Sequence, residues 1–280
     1  MTEKDYDLEA IEGGKNNKSK QDYKELVAKS IQEMHRVLKY DRWMSFVFAH
    51  KDPAFWHLIV DTAENCGFEY DCAVAQKNGQ TTYKKRKNPF TILSGQLIIN
   101  FRKVRSPKSI MTANLGMEIK DIIIQSIEGV IAANDGATIE QINNELIIKG
   151  LELGFLHLLK KEYSNLSDIL TKRFDYDVDT ELYTIKAGSK FAEIVPVELR
   201  IRYYIVSYLR RKEREGVSAS FDDIVLDIMP LLKNGQTPDD QTILTVLESI
   251  AERIGENHWR LKVPGQRDMF KEYELNNSLE

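Results

Sequence analysis

Residues 33–103 decide the fold of this chain, because short apolar strings alternate there with turn residues. In chain order these strings are EMHRVLK at 33–39, WMSFVF at 43–48, DPAFW at 52–56, CGF at 66–68, NPF at 88–90 and QLIINFRK at 96–103. Apolar runs of strand length that are bounded by glycine, proline or asparagine are typical of buried strands. The stretch therefore predicts part of an α/β sheet.

The first predicted helix runs from about Gln21 to Leu38, with its apolar residues three or four positions apart on one face. These residues are Tyr23, Leu26, Val27, Ile31, Met34 and Leu38. Trp43–Ala49 follows as a strand that is apolar on both faces, as expected of a buried strand in a mainly parallel sheet. Pro53 suits the first turn of a second helix, and Gly67 suits the left-handed residue that ends it.

Two further strands are predicted at Phe68–Ala75 and Gln96–Arg102, with only a loop between them. Strands that are joined without a crossover helix are expected to be antiparallel neighbours. The predicted order is therefore helix, strand, helix, strand, loop, strand.

This series of motifs resembles the C-terminal part of the catalytic domain of site-specific DNA amino-methyltransferases, the adenine-type enzymes that use S-adenosylmethionine. In that family a segment like Lys15–Lys20 precedes the first helix, an Arg-Val-Leu-Lys string ends it, and the final strand runs against the others. The chain departs from the family at Tyr40-Asp41-Arg42, where Pro-Gly-Gly is usual. The resemblance implies that residues 1–108 complete a Rossmann-like methyltransferase sheet.

The two diagnostic motifs of the family are absent from this sequence. One is Asp/Asn/Ser-Pro-Pro-Tyr/Phe, which holds the target amino group, and the other is a Phe-x-Gly-x-Gly turn against the cofactor. The chain has no Pro-Pro and no Gly-x-Gly. We therefore expect the isolated chain neither to bind S-adenosylmethionine nor to methylate. In the complete enzyme the cofactor and the catalysis would come from a missing N-terminal half or from a partner subunit.

The resemblance also implies a DNA-binding site in the loop before the last strand. There the family has an aromatic residue that stacks on the extruded base, and Phe90 occupies the matching position with Tyr83 as a second candidate. Beside them lie four cations that would suit phosphate contacts, namely Lys84, Lys85, Arg86 and Lys87. The alternative is a solvated basic loop that Phe90 anchors to the core.

Composition excludes several other classes of protein. Hydrophobic residues make up 42% and charged residues 29%, with a net charge of −4, so any DNA contact must come from a local patch. Two cysteines, Cys66 and Cys72, are too few for a disulfide framework or a zinc site, and we expect a reducing cytoplasm. No apolar run reaches the ~20 residues that span a bilayer, so no membrane partner is expected. His50 and His57 are interpreted as packing residues rather than catalysts.

Residues 109–280 are predicted to form a mostly helical domain after the α/β part. Two stretches, 115–190 and 195–263, share one order: helix, small-residue cap, helix, polar break, helix, and a short aromatic strand. Thr138 and Ser220 are the predicted N-caps. This order suits winged-helix-like units, and the two stretches are either a duplication or separate elements of similar pattern.

The surface of these units leaves two interpretations open. The candidate groove-reading helix, Thr242–Ile254, carries Glu248, Glu252 and Arg253 and is too acidic to predict DNA reading. The preceding helix carries a basic cluster, which is either a solvated face or a phosphate-contacting surface. Its members are Arg200, Arg202, Arg210, Arg211, Lys212 and Arg214.

Two hypotheses follow from the sequence. In the first, the chain is part of a DNA methyltransferase, of the kind used in restriction-modification or phage defence, and contributes target recognition rather than catalysis by itself. In the second, it is a non-catalytic DNA-binding or protein-docking module that keeps a degenerate methyltransferase half-domain. A missing-half enzyme should expose a sheet edge and an apolar surface.

Overall fold

The computed structural model describes residues 9–10, 12–13, 17–50, 53–76, 96–110, 112–162, 166–186, 195–232 and 237–262. They form a mixed α/β protein in which helices join small antiparallel sheets. The chain divides into two compact units, Met1–Ile194 and Val195–Glu280, which are described here one at a time. Among the described residues, no helix combines the length and the apolar character that crossing a bilayer requires.

The first unit begins with two helices and one sheet. In chain order these elements are α1 (Lys20–Val37), β1 (Arg42–Phe48), α2 (Pro53–Cys66), β2 (Phe68–Gln76) and β3 (Gln96–Lys103). Helix α1 starts at a capping box, in which Ser19 accepts from the backbone of Asp22 and the Asp22 carboxylate accepts from the Ser19 backbone. The predicted order of helices and strands is thus confirmed for these residues.

The strand order in this sheet is β1-β3-β2, and β3 is antiparallel to both of its neighbours. The predicted antiparallel pairing of the last two strands is confirmed. The expectation that Trp43–Ala49 lies inside a mainly parallel sheet is wrong for the described residues, since both pairings of the sheet are antiparallel. The reason is that β1 and β2 do run in the same direction, but β3 lies between them.

One face of the sheet forms the core of this unit. Ile99, Phe101 and Phe68 are fully buried on it, and α2 packs against both β2 and α1. The opposite face is open, because Trp43 and Val47, on the other side of β1, are 52% and 53% exposed. An apolar run does not reveal by itself which of its faces is covered, and this explains why the sequence predicted a strand that is buried on both faces.

Helices follow the sheet within the first unit. They are α3 (Ile119–Asn134), α4 (Ile139–Leu153), α5 (Leu156–Glu162) and α6 (Leu166–Arg173), followed by the hairpin strands β4 (Phe174–Asp177) and β5 (Leu182–Ile185). Helix α5 packs against α2, and α4 packs against β2. The boundary predicted at residue 108 therefore falls inside a single compact unit.

The second unit contains three helices and a small sheet among its described residues. Its elements are α7 (Val197–Glu215), β6 (Ala219–Ser220), α8 (Phe221–Ile228), a 3-10 turn (Met229–Leu232), α9 (Asp240–Ile250), β7 (Ala251–Ile254) and β8 (His258–Leu261). The strands pair in the order β6-β8-β7 and are antiparallel. Trp259 of β8 lies opposite Ala219.

The two predicted repeats share more than their order of elements. Both predicted N-caps are confirmed, and each forms a capping box, Thr138 with Gln141 and Ser220 with Asp223. An alanine precedes each cap and pairs with an aromatic residue of the hairpin, Ala137 with Tyr183 in the first repeat.

Two details of the sequence interpretation are corrected in these repeats. Helix α9 ends at Ile250 rather than at Ile254, so that Glu252 and Arg253 lie on strand β7. Each repeat also ends in a two-stranded hairpin instead of one aromatic strand. In the sequence, the spacing of apolar residues that is typical of a helix continues past Ile250. In the structure, the backbone groups of Ala251–Ile254 form their hydrogen bonds with β8 instead, and the helix ends at Ile250.

Candidate functional site

The predicted base-binding loop leaves the sheet at the end where β1 finishes. Gln76, the last residue of β2, lies opposite Gln96, the first residue of β3, and Phe48 lies opposite Leu97. The proposed DNA contacts themselves, Phe90, Tyr83, Lys84, Lys85, Arg86 and Lys87, lie outside the described residues and stay predictions. The structure locates the two anchors of this loop but not its side chains.

An aromatic cluster occupies the same end of the sheet. The ring centroid of His50 lies 4.0 Å from that of Phe55 and 6.0 Å from that of Phe48, and the Trp56 indole N–H donates to the backbone oxygen of His50 at 2.7 Å. The ammonium of Lys24 lies 5.4 Å from the centre of the Phe55 ring. These contacts hold the end of β1 firmly beside the loop anchors, and they agree with the interpretation of His50 as a packing residue.

The open face of the sheet carries three rows of side chains. The middle row is polar: the Ser45 hydroxyl donates to the Asn100 amide oxygen at 2.7 Å, and the Asn100 amide nitrogen lies 3.4 Å from the Cys72 sulfur. The second row, nearer the loop, is apolar and consists of Val47, Ile98 and Val74. The third row, at the far end of the sheet, consists of Trp43, Arg102 and Glu69. The face therefore changes from apolar to charged along its length.

Nucleophilic or metal chemistry finds little support in the described residues. Burial raises the pKa of the Cys66 thiol, which keeps it protonated and weakly nucleophilic. His57 and His157 face each other at 6.1 Å between ring centroids. The described parts of the chain hold no group of three or more histidine, cysteine or acidic side chains arranged for a metal ion.

The basic cluster of α7 is divided by its environment. Arg200 is fully buried, so it belongs to neither of the predicted surfaces. Arg211 pairs with Asp227 at 2.9 Å, and Lys212 pairs with Glu215 at 2.8 Å. At the helical surface these cations are therefore largely balanced by neighbouring carboxylates.

No protein-family model, no curated protein and no solved structure matches this chain. The function has to be argued from the residues themselves.

The exposed face of α9 is acidic or neutral. Asp240, Gln241, Thr245 and Glu248 are all exposed along it, whereas Ile243 and Leu247 are buried. Asp239 precedes the helix as its N-cap, where its side chain accepts from the Thr242 backbone at 2.8 Å. The carboxylates of this surface would repel the phosphates of DNA. A protein partner suits the surface better.

Sequence reasoning missed one group of residues that the structure brings together. Tyr40 and Trp43 are about half exposed, and Arg102, Lys103 and Arg105 lie within 6 Å of their rings. The available signal was the string Tyr-Asp-Arg-Trp at 40–43, in which two aromatic residues and a cation stand within four positions.

Proposed function

We propose that this chain is the C-terminal portion of a site-specific DNA methyltransferase of the adenine type. In the complete enzyme, S-adenosylmethionine would supply the methyl group for the exocyclic amine of a DNA base. This portion would contribute recognition of DNA and of the target base rather than methyl transfer by itself. The proposal rests on the motifs of residues 33–103 together with the arrangement of the three strands that they form.

The observation that carries the proposal is the position of β3. The resemblance requires a final strand that runs against the others, and β3 is antiparallel to both β1 and β2. It also requires a helix before β1 and a helix between β1 and β2, which are α1 and α2. Motif order and strand direction are independent observations, and both agree with the closing part of a methyltransferase sheet.

The uncovered parts of the sheet support a partner that carries the remaining strands. Within the described residues, β1 pairs on one side only. The apolar row beside the loop includes Val47 and Val74, which are 53% and 52% exposed. An unpaired strand edge next to exposed apolar side chains is a surface that folded proteins normally cover. The missing N-terminal half, or a partner subunit, would cover it.

We expect the complete enzyme to hold S-adenosylmethionine outside the described residues of this chain. A backbone turn that approaches the cofactor closely would need glycines with free space next to their Cα atoms, where the cofactor would lie. Here Gly67, Gly136 and Gly150 meet His35, Leu182 and Leu156 of the same chain. Gly13, Gly216 and Gly255 do face open space, but none of them belongs to a Gly-x-Gly turn. The cofactor would therefore have to be held by residues other than these.

The topology of the second unit supports a winged-helix-like docking domain. Its order is helix, strand, helix, helix and hairpin, with the first strand paired to the last. The acidic exposed face of α9 favours a protein partner over the major groove. We therefore assign contact with DNA to the loop 77–95 and contact with a partner subunit to the second unit.

The test is a salt titration of binding to a short DNA duplex. The chain would be compared with a loop variant, in which Lys84, Lys85 and Lys87 are changed to Ala, and with Phe90→Ala. Loss of three phosphate contacts on duplex DNA lowers the slope of log affinity against log salt by about 2.7. Phe90→Ala should weaken binding further to a duplex that holds an unpaired adenine.

A matched control removes the same charge elsewhere. Lys29, Lys120 and Lys172 are exposed, and changing all three to Ala should leave the salt slope unchanged. If the loop variant and this control behave alike, the loop does not contact phosphate. If the unmodified chain does not bind DNA at any low salt concentration, the second hypothesis, a docking module with a degenerate half-domain, is the better account.

A further inference from the structure

We infer that a second surface of this chain binds single-stranded nucleic acid. We call this surface the basic–aromatic patch, and it lies where α1 ends, β1 begins and β3 ends. Its residues are Lys39, Tyr40, Arg42, Trp43, Arg102 and Arg105. Trp43 and Arg102 lie on the open face, whereas Arg42 is opposite Lys103 on the other face, so the patch runs round the end of the sheet. The inference does not rest on the methyltransferase proposal, since it uses no residue of the loop 77–95 and concerns the opposite end of the sheet.

Two exposed aromatic rings are the first observation. Tyr40 and Trp43 are 51% and 52% exposed, whereas the other two tryptophans of the chain, Trp56 and Trp259, are 2% and 7% exposed. Large aromatic surfaces are usually covered unless they bind something. Between the two residues, Asp41 has a φ of 60°, a left-handed conformation that makes the turn tight. Both rings therefore lie within a few residues of the same turn.

Cations beside these rings are the second observation. Trp43 and Arg102 are directly opposite each other in the β1–β3 register, and the guanidinium lies 5.7 Å from the centre of the indole ring. The Arg105 guanidinium lies 5.9 Å from the centre of the Tyr40 ring. Each exposed ring thus has a cation over it, and Tyr40 has a second, the Lys103 ammonium at 4.8 Å, so a base would stack on the part of each ring that the cations leave exposed. A nucleotide needs this combination, because its base stacks on a ring while its phosphate binds the neighbouring cation.

The balance of charge is the third observation. Among the described residues, no carboxylate pairs with Lys39, Arg42 or Arg105. Arg102 lies 3.7 Å from Asp41, in a pair in which both side chains are exposed, and Glu69 is opposite it in the β2–β3 register. The two carboxylates leave the patch with a net positive charge. The whole chain has a net charge of −4, so this local excess of positive charge is not a consequence of overall composition. Charge of this sign attracts a polyanion to the patch.

Stacking decides between single-stranded and duplex nucleic acid. In a duplex the faces of the bases are covered by their neighbours, whereas in a single strand each base offers a face to an aromatic side chain. A patch whose aromatic rings are half exposed is therefore matched to unpaired bases. Recognition by stacking and phosphate contact tolerates most sequences, so we expect little sequence preference.

The experiment follows the tryptophan fluorescence of the chain while a single-stranded oligothymidylate is added. Because Trp56 and Trp259 are buried, a base that stacks on Trp43 should quench the signal of the exposed tryptophan. Binding is measured independently by the anisotropy of a fluorescent label on the oligonucleotide. Trp43→Phe should abolish the quenching and keep most of the affinity, whereas Trp43→Ala should weaken binding by about 5- to 150-fold.

The cations are tested by changing Lys39, Arg42 and Arg105 to Ala together. The slope of log affinity against log salt should fall by about 2, since each single-strand phosphate contact contributes about 0.7. The control variant with Lys29, Lys120 and Lys172 changed to Ala should keep the original slope. The loop variant should also keep the original slope for the single-stranded oligonucleotide. This result would distinguish binding at the patch from binding at the loop of the methyltransferase proposal.

Three results would overturn the inference. The first is binding without quenching and with unchanged affinity in Trp43→Ala. The second is equal loss in the patch variant and in the charge-matched control, which would show attraction by charge alone. The third is binding to vesicles of anionic phospholipid but not to the oligonucleotide, which would make the patch a membrane-surface contact.

Discussion

Lys103 closes the C-terminal end of α1 from the end of β3, with its Nζ 2.6 Å from the backbone oxygen of His35. The same ammonium lies 2.8 Å from the backbone oxygen of Leu38, and the residue is only 6% exposed. The last carbonyls of a helix have no partners within the helix, and a cation placed there also complements the helix dipole. This side chain therefore ties the first helix to the sheet.

Replacing Lys103 with methionine should destabilise the first unit. Methionine keeps the apolar stem but leaves two partly buried carbonyl oxygens without their charged donor, so we expect a loss of about 1.5–3 kcal/mol. Urea denaturation followed by circular dichroism measures this loss. Lys108→Met is the control, because Lys108 is exposed in the segment after β3. Equal midpoints for the two variants would contradict the role assigned to Lys103.

His35 makes the stability of the first unit depend on pH. Its pKa lies below the ordinary value of 6.5 because burial disfavours the charged form and because the Lys103 ammonium repels it, while a hydrogen bond with the Gly67 backbone acts in the opposite direction. Below 6.5 the unfolded chain binds a proton that the folded chain resists. The contribution of neutral His35 to the free energy of unfolding is therefore complete above pH 6.5. It is lost as the pH falls through the pKa of His35 in the folded chain.

We expect the free energy of unfolding to fall more steeply with acidification below pH 6.5 in the unmodified chain than in His35→Gln. The comparison cancels the contribution of the other histidines. An NMR titration of the His35 ring should show the pKa moving toward 6.5 in Lys103→Met, because a source of positive charge has been removed. Parallel pH profiles for the two chains would rule out this dependence.

The capping boxes at Thr138 and Ser220 should each stabilise their own unit. Thr138→Ala and Ser220→Ala remove a side chain that accepts from the backbone of the third helical residue, and we expect each to cost about 1 kcal/mol. Thr138→Ser and Ser220→Thr keep the hydroxyl and should keep most of the stability. Thermal unfolding of the four variants measures these differences. Equal Tm values for the alanine variant and the hydroxyl variant at the same position would contradict the capping role.

Two neighbouring residues should respond in opposite directions to substitution. Gly136 has a φ of +136°, and a Cβ there would lie 3.2 Å from Leu182 of the hairpin, so Gly136→Ala should destabilise by about 1–3 kcal/mol. Asp135 ends α3 with a φ of 52°, and Asp135→Gly should be neutral or stabilising by less than about 1 kcal/mol. Chemical denaturation of both variants tests this contrast. If Gly136→Ala is as stable as the unmodified chain, Gly136 is not closely packed on Leu182.

The sequence predicted the helices well because their physical signals are local. Spacing placed Val27 and Ile31 on the buried face of α1, and the hydroxyls of Thr138 and Ser220 marked helix starts that the structure confirms. These signals need only a few neighbouring residues. They could be interpreted without knowledge of what packs against the helix.

The errors arose where the partner of a segment decided its structure. Trp43 and Val47 have the composition of buried strand residues, but no other element covers their face of the described sheet. Arg253 continued a helical pattern and became part of a strand because β8 was there to pair with it. Arg200 resembled the other cations of its helix, and only the packing of the folded chain shows that it is buried whereas they are partly exposed.

The candidate sites divide in the same way. Phe90 and Lys84–Lys87 could be named from the sequence because a family resemblance supplied their roles. The basic–aromatic patch joins Tyr40 to Arg105 and Trp43 to Arg102, residues that are far apart in the chain. Its cations and rings meet only after β1 and β3 have paired, so no local pattern could have predicted the combination.

The direct pairing of Gln76 with Gln96 makes the stretch between them replaceable. Adjacent strands hold the two ends about 4.8 Å apart, whatever lies between them. The entropy of closing such a loop grows only slowly with its length. Insertions, deletions or wholesale exchange of residues 77–95 would therefore leave the sheet intact. A protein built in this way can acquire a new binding preference by changing the segment between two paired strands, without the need to evolve a new core.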